Sequence, residues 1–150
     1  MTGSMPPQLP RIAFVLGVAG LAPQALALLA TFNEADRYIG LAAGYFYAAL
    51  IFSFLGGLWW GVAASRTDAP KWLYVAAVVT SLIAFASGIP WMVGGAWPGP
   101  SLAYLGTAIL GSALIDRHLF ALALIDRSLW QLRLFLSLGL GTLTLLLATR

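Results

Sequence analysis

Five long stretches of apolar residues follow one another along the chain, separated by short polar or Gly/Pro-rich segments. Each is about 20 residues long, the length that an α-helix needs to cross the hydrocarbon core of a bilayer. Helices are expected because a spanning segment must satisfy its own backbone hydrogen bonds, and because barrel strands would alternate polar and apolar residues. The pattern predicts an all-α integral membrane protein, a five-transmembrane-helix bundle with spans at about 11–32, 39–64, 72–91, 101–121 and 129–148.

The segments between these stretches consist of residues that end helices. The first stretch closes at a polar turn over 33–37, the second at 65–71, and the third at a Gly/Pro-rich loop over 94–100. The fourth is less regular, because Asp116 and Arg117 arrive about 15 residues after its start. We expect it to continue to Ala121, with this charged pair at the membrane interface. Residues 9–150 then form a single transmembrane domain, and residues 1–8 are a leader or a tag remnant.

Cationic residues are distributed unequally between the two sides of five alternating spans. One side has six, namely Arg11, Arg66, Lys71, Arg117, Arg127 and Arg133. The other side has two, Arg37 and Arg150. Because cytoplasmic loops carry an excess of Lys and Arg, this distribution predicts that the N-terminus is inside and the C-terminus outside.

The composition excludes several classes of protein. With 61% hydrophobic and 9% charged residues and a mean hydropathy of +0.90, the chain could not cover its apolar surface in a water-soluble fold. Because it has no cysteine and one histidine, His118, thiolate sites and metal or haem sites built from several histidines are ruled out. The net charge of +3 is explained by topology, so we expect no nucleic-acid partner. The expected partners are the lipid bilayer and either other membrane subunits or a second copy of the chain.

Catalytic motifs are missing from the sequence. It contains no phosphate-binding P-loop, no HExxH element and no Ser nucleophile elbow. We therefore expect no enzymatic activity, no catalytic residue, no cofactor and no metal.

Small residues recur at every fourth position in the second and third stretches, and four residues advance a helix by about 400°, so each set forms one narrow stripe. The GxxxG elements Gly40 to Gly44 and Gly57 to Gly61 allow close approach of two backbones. Two uses stay open: packing of the second helix against the third, or contact with a second copy or a partner subunit. If the stripe packs internally, Gly57→Leu should cost about 1–3 kcal/mol. The stripes are Ala49, Ser53, Gly57, Gly61 and Ser65 in the second stretch, and Ala76, Thr80, Ala84 and Gly88 in the third.

Adjacent glycines, Gly56 and Gly57, also permit a break in the second helix. Discontinuous helices expose backbone carbonyls to the substrate in transporters. A small transporter or channel with such a broken helix would line its cavity with residues of this region and of other stretches. The candidates are Pro23, Ser53, Gly56, Gly57, Trp59, Trp60, Thr80 and Asp116.

A short echo, Ala-Leu-Ile-Asp-Arg, occupies 113–117 and again 123–127, so that Asp116 and Arg117 recur as Asp126 and Arg127. On one continuous helix the two copies would lie about 80° apart and would not form one cluster. The echo favours charge-paired residues at the membrane boundary. The alternative is an acidic site for lipid phosphate or protons, because ionisable groups at membrane depth are costly.

Six tryptophans lie near the predicted helix ends, an arrangement that is typical of an interfacial aromatic belt. Trp130 belongs to this group, and Arg133 follows it in the first turns of the last stretch. Trp59 and Trp60 are partial exceptions, since they lie about one turn inside the second stretch and next to glycines.

Three segments resemble one known family. They are Gly-Leu-Ala-Pro at 20–23, the run 47–61 with its Ser-Phe-Leu-Gly-Gly-x-x-Trp-Gly core, and Trp-Gln-Leu-Arg at 130–133. The chain from Leu9 onward is similar to the domain of unknown function 3429 family, which includes the mitochondrial transmembrane protein 69. The resemblance implies a small multi-span protein of bacterial inner membranes, or of the mitochondrial inner membrane in a eukaryote, with no assigned activity.

The leading hypothesis is a non-enzymatic accessory or assembly subunit of a larger inner-membrane complex that acts through helix–helix contacts. It is based on the scarcity of reactive groups and on the abundance of close-packing signals. The alternative is the small transporter or channel with a broken helix. A third hypothesis, a lipid-modifying enzyme that uses Asp116 or His118, has the least support in the sequence.

Overall fold

The computed structural model describes residues 9–150, and the leader or tag remnant predicted for residues 1–8 lies outside the described residues. Within them the fold is entirely helical, as predicted, and no strand is present. The helices are α1 (Arg11–Ala19), α2 (Ala22–Ala30), α3 (Arg37–Ser65), α4 (Trp72–Ala86), α5 (Ile89–Met92), α6 (Gly99–Ala121) and α7 (Arg127–Ala148).

Four helical segments are long and apolar enough to cross a membrane: Arg11–Ala30, Arg37–Ser65, Trp72–Met92 and Arg127–Ala148. Large apolar side chains such as Leu50 and Phe85 are exposed on these helices. Soluble proteins rarely expose so much apolar surface, so this surface indicates a membrane protein. Helix α6 is not among the four, although its 23 residues give it a length of about 35 Å. It is less apolar because it carries Asp116, Arg117 and His118 near its end.

The helix is interrupted in two of the apolar segments, and a tyrosine of α3 forms a hydrogen bond at each interruption. The first lies at Gly20, between α1 and α2, where Tyr47 donates a hydrogen bond to the glycine carbonyl. The second separates α4 from α5, and there the hydroxyls of Tyr45 and Ser87 are 3.0 Å apart. A proline follows each interruption, in the first turn of α2 and of α5, because a proline there has no helical partner to lose. Pro23 thus lies in the first turn of α2.

Helix α3 itself continues through Gly56 and Gly57 without interruption. The helix break that these adjacent glycines would permit is therefore absent from α3. Neither glycine needs an unusual backbone conformation, and both lie within the regular helix. What distinguishes Gly56 is instead its proximity to α4.

The contact between α3 and α4 includes Ser53 of the predicted stripe, whose hydroxyl lies 2.7 Å from that of Ser81, but after Ser53 the contact is made on a different face of α3. A Cβ atom added at Gly56 would overlap the Thr80 hydroxyl and the Ala77 carbonyl, whereas nothing lies within 4 Å of a Cβ atom added at Gly57 or Gly61. The predicted stripe of α3 thus turns outward at Gly57. Of the four residues in the stripe predicted for the third stretch, three are buried, namely Thr80, Ala84 and Gly88.

Helices α6 and α7 form an antiparallel pair that is packed along its whole length. Gly106 and Gly141 allow the backbones to approach in the middle, where a Cβ atom on either glycine would lie 3.1–3.2 Å from the carbonyl oxygen of the other. Closer to the loop that joins the two helices, the hydroxyls of Ser112 and Ser137 are 3.3 Å apart. Helix α3 contacts α2, α4, α6 and α7. It is the central helix of the bundle.

Candidate functional site

A buried polar cluster joins three helices of the bundle. Trp59 of α3, Asp116 of α6 and Arg133 of α7 expose 2%, 0% and 4% of their surface. The Trp59 indole nitrogen donates to Asp116 Oδ1 at 2.8 Å, and Arg133 Nε donates to the same oxygen at 2.7 Å. The guanidinium carbon also lies 5.8 Å from the centroid of the Trp59 ring. We call these three residues the Trp–Asp–Arg cluster.

The position of the cluster follows from the α6–α7 hairpin. Asp116 lies eight residues before Leu124, near the middle of the connecting loop, and Arg133 lies nine residues after it. Residues equally distant from the turn of an antiparallel helical hairpin lie at the same level, which brings the carboxylate and the guanidinium together. Trp59 reaches the pair from α3, which packs against both helices.

Burial makes this ion pair energetically demanding. Charges removed from water are stabilised only if good geometry and further hydrogen bonds compensate the lost hydration. Here Asp116 Oδ2 and Arg133 Nη2 have no hydrogen-bond partner among the described residues. These two atoms are buried without a hydrogen-bond partner in the described part of the chain, so the compensation within the cluster is incomplete.

Two apolar grooves adjoin the cluster. One, of about 480 Å³, lies between α3, α4 and α6 and includes Trp59 in its wall. The other, of about 420 Å³, lies between α1, α3 and α7 and includes Arg133. The cluster thus contributes a side chain to each groove, while Asp116 contributes to neither.

The charge pairing predicted between Asp116 and its neighbour Arg117 was wrong, because this carboxylate is buried and pairs with Arg133 instead. Arg117 itself is exposed. Asp126, the counterpart in the echo, has a different role. It caps α7 by accepting a hydrogen bond from the Leu129 backbone N–H at 2.7 Å.

The remaining candidates are dispersed. The Ser53 hydroxyl lies 2.7 Å from that of Ser81 on α4, and Trp60 packs edge-on against Tyr74 at 4.9 Å. Trp130 stacks on Phe120 at 4.7 Å, which ties the start of α7 to the end of α6. None of these residues contacts the Trp–Asp–Arg cluster through a hydrogen bond.

Metal-ligating groups do not converge in residues 9–150, where no set of three His, Asp or Glu side chains could hold an ion. His118 is exposed and lies 5.8 Å from the Trp72 ring.

In the loop after α3, Arg66 donates to both carboxylate oxygens of Asp68 and thereby lowers the pKa of that carboxyl. Both residues of this pair are exposed, so it contributes little to stability.

One buried polar residue was missed in the sequence. Gln24 of α2 is fully buried and donates from Nε2 to the Thr144 hydroxyl of α7 at 3.0 Å. Its carbonyl oxygen has no partner among the described residues. A glutamine inside an apolar stretch is itself a signal, because polar side chains in membrane helices usually bond across helices.

The family model described as "Protein of unknown function (DUF3429)" matches residues 9–149 of the chain. No curated protein and no solved structure matches it.

Proposed function

This chain belongs to the DUF3429 family of proteins of unknown function, and we propose that it is a non-enzymatic accessory or assembly subunit of a larger membrane complex, acting through helix–helix contacts. The observation that carries this proposal is the outward-facing GxxxG element of Gly57 and Gly61 on α3. Glycines at internal contacts, such as Gly44 and Gly56, have a neighbouring helix where a Cβ atom would stand, but these two have open space.

An open GxxxG face suits a partner helix. In a membrane the association of helices depends on close packing and hydrogen bonds, and small residues permit both. Helix α3 is an unusual place for unused small residues, because the rest of it packs against four other helices. Exposed Phe54 and Trp60 flank the face and would add contact area.

We further propose five spans, with the N-terminus inside and the C-terminus outside, in a bacterial inner membrane or, in a eukaryote, the mitochondrial inner membrane. Helix α6 supports this count because it is about 35 Å long and runs antiparallel to α7 over its whole length. Charge supports the orientation. When the buried Arg133 is left out of the count, the two sides carry five and two Lys or Arg residues.

The transporter alternative has less support. It was based on a helix break in α3, which continues through Gly56, and on a polar cavity. The two grooves beside the Trp–Asp–Arg cluster are lined mainly by apolar side chains. Such walls favour contact with lipid or with another helix over passage of ions.

Loss of the open face should release the partner. We expect G57L/G61L to lower the amount of the co-purifying subunit or second copy at least about tenfold, equivalent to ~1.4 kcal/mol. The measurement is native mass analysis of the untagged protein after gentle detergent extraction. Gly111→Leu is the matched control, because Gly111 of α6 also has open space around it but belongs to no GxxxG element. A strictly monomeric protein in several detergents, or equal partner loss in both variants, would contradict the proposal.

Topology can be tested cleanly because the chain contains no cysteine. We expect single cysteines at Ala35 and Ala96 to react with an impermeant maleimide added outside. Single cysteines at Thr67 and Leu122 should react only after the membrane has been permeabilised. These four residues are exposed and lie in or next to successive loops. The same accessibility for positions 96 and 122 would show that α6 does not cross.

A further inference from the structure

The groove between α1, α3 and α7 has the length of one membrane leaflet. It extends along α3 from Tyr47 to Leu58 and along α7 from Leu129 to Leu140, a rise of eleven residues in each case. At about 1.5 Å per residue this is ~16 Å. Half of the ~30 Å hydrocarbon core is ~15 Å. A single acyl chain of one leaflet therefore matches the groove, whose walls are mostly leucine, isoleucine and phenylalanine.

One polar side chain in the wall of this groove, Arg133, keeps hydrogen-bond donors that no described residue uses. The Tyr47 hydroxyl at one end already donates to the Gly20 carbonyl. Arg133 lines the groove, is 4% exposed and lies six residues after the start of α7, and among the described residues its guanidinium donates only the hydrogen bond from Nε to Asp116. Because Asp116 neutralises its charge, the guanidinium suits a neutral acceptor better than a second anion. An ester carbonyl is such an acceptor.

The groove continues into a cationic opening. A neighbouring pocket of about 430 Å³ shares Leu9 with the groove and is lined by Arg11 and Ser128. Arg11 is exposed and begins α1, and Ser128 is in the first turn of α7, so both lie at the end of the helices, where lipid headgroups are found. A cation at this depth attracts an anionic headgroup.

We propose that this groove binds one glycerophospholipid with an anionic headgroup. One acyl chain lies between α3 and α7, an ester carbonyl accepts a hydrogen bond from Arg133, and the phosphate lies near Arg11. The occupant is a lipid rather than a peptide helix because the groove has the length of one leaflet rather than of the whole bilayer, and a cation stands at its mouth.

Native mass spectrometry of the full chain with added phosphatidylglycerol tests the proposal. The unaltered protein should bind the diester lipid about tenfold more tightly than the diether analogue, which lacks the carbonyl, as expected for one hydrogen bond to a charged group. Arg11→Ala should weaken binding about fivefold, the effect of one cation near the headgroups. Neither comparison disturbs the buried pair.

Filling the groove provides the matched comparison. Leu136 lines the groove, whereas Leu138 on the same helix is exposed and lies outside it. We expect Leu136→Trp to abolish binding of the first lipid and Leu138→Trp to leave it unchanged. Equal binding of the diester and diether lipids, or equal binding by both tryptophan variants, would mean adventitious surface lipid only and would overturn the proposal.

Discussion

Replacement of Asp116 by alanine should lower the free energy of unfolding by about 3–5 kcal/mol, because it leaves the Arg133 charge buried without its partner. Trp59 would lose the acceptor of its indole hydrogen bond in the same change. Thermal or denaturant unfolding of the purified protein in detergent measures the effect.

The echo in the sequence supplies the control for this experiment. Asp126→Ala removes the cap of α7 and the acceptor of the Ser128 hydroxyl, and should cost about 0.5–2 kcal/mol. A double variant, Asp116→Leu with Arg133→Met, replaces the whole ion pair by apolar side chains and should recover most of the lost stability. If Asp116→Ala costs no more than Asp126→Ala, the buried pair is not the constraint that the geometry indicates.

The helices could be predicted from the sequence because hydrophobicity decides where a chain enters and leaves a membrane. The predicted start of the second span at 39 and its end at 64 lie close to the ends of α3, which runs from Arg37 to Ser65. Breaks within a stretch were harder to locate. Gly20 interrupts the first apolar stretch and Gly56 does not interrupt the second, although both are glycines in apolar surroundings. Only the proline three residues after Gly20 distinguishes them.

The Trp–Asp–Arg cluster was only partly predictable. All three residues were candidates, but Asp116 was assigned to its sequence neighbour Arg117. Adjacent residues point about 100° apart on a helix, so Arg117 faces outward when Asp116 faces inward. The correct partner, Arg133, follows from the nearly equal distances of eight and nine residues to Leu124 in the loop. That distance becomes informative once the two helices are known to form an antiparallel hairpin.

The face of a small-residue stripe has the same ambiguity. Spacing by four identifies a stripe on a helix but not the direction in which it points, and a second glycine one residue away adds a competing stripe. Gly56 contacts α4, and Gly57 faces out. Gly56 therefore belongs to the internal packing of α3, and Gly57 belongs to the surface that we assign to a partner.

We expect Gly56→Leu to destabilise the protein by about 3 kcal/mol, the upper part of the range for overpacking. The new side chain would have to displace the Ala77 carbonyl and the Thr80 hydroxyl, and the first belongs to the backbone of α4 and cannot rotate away. The two helices would have to separate along their contact. Unfolding of the purified monomer in detergent measures the loss.

The same substitution one residue later is the matched control. Gly57→Leu should change the stability of the monomer by less than about 1 kcal/mol, because the leucine enters open space. This expectation replaces the cost of 1–3 kcal/mol that the sequence alone suggested. Equal destabilisation by the two variants would show that both faces of α3 are covered within the monomer, and the open GxxxG face would then no longer be available to a partner. A large difference between the variants, together with partner loss on substitution of Gly57 and Gly61, would separate the packing role of Gly56 from the docking role of its neighbour.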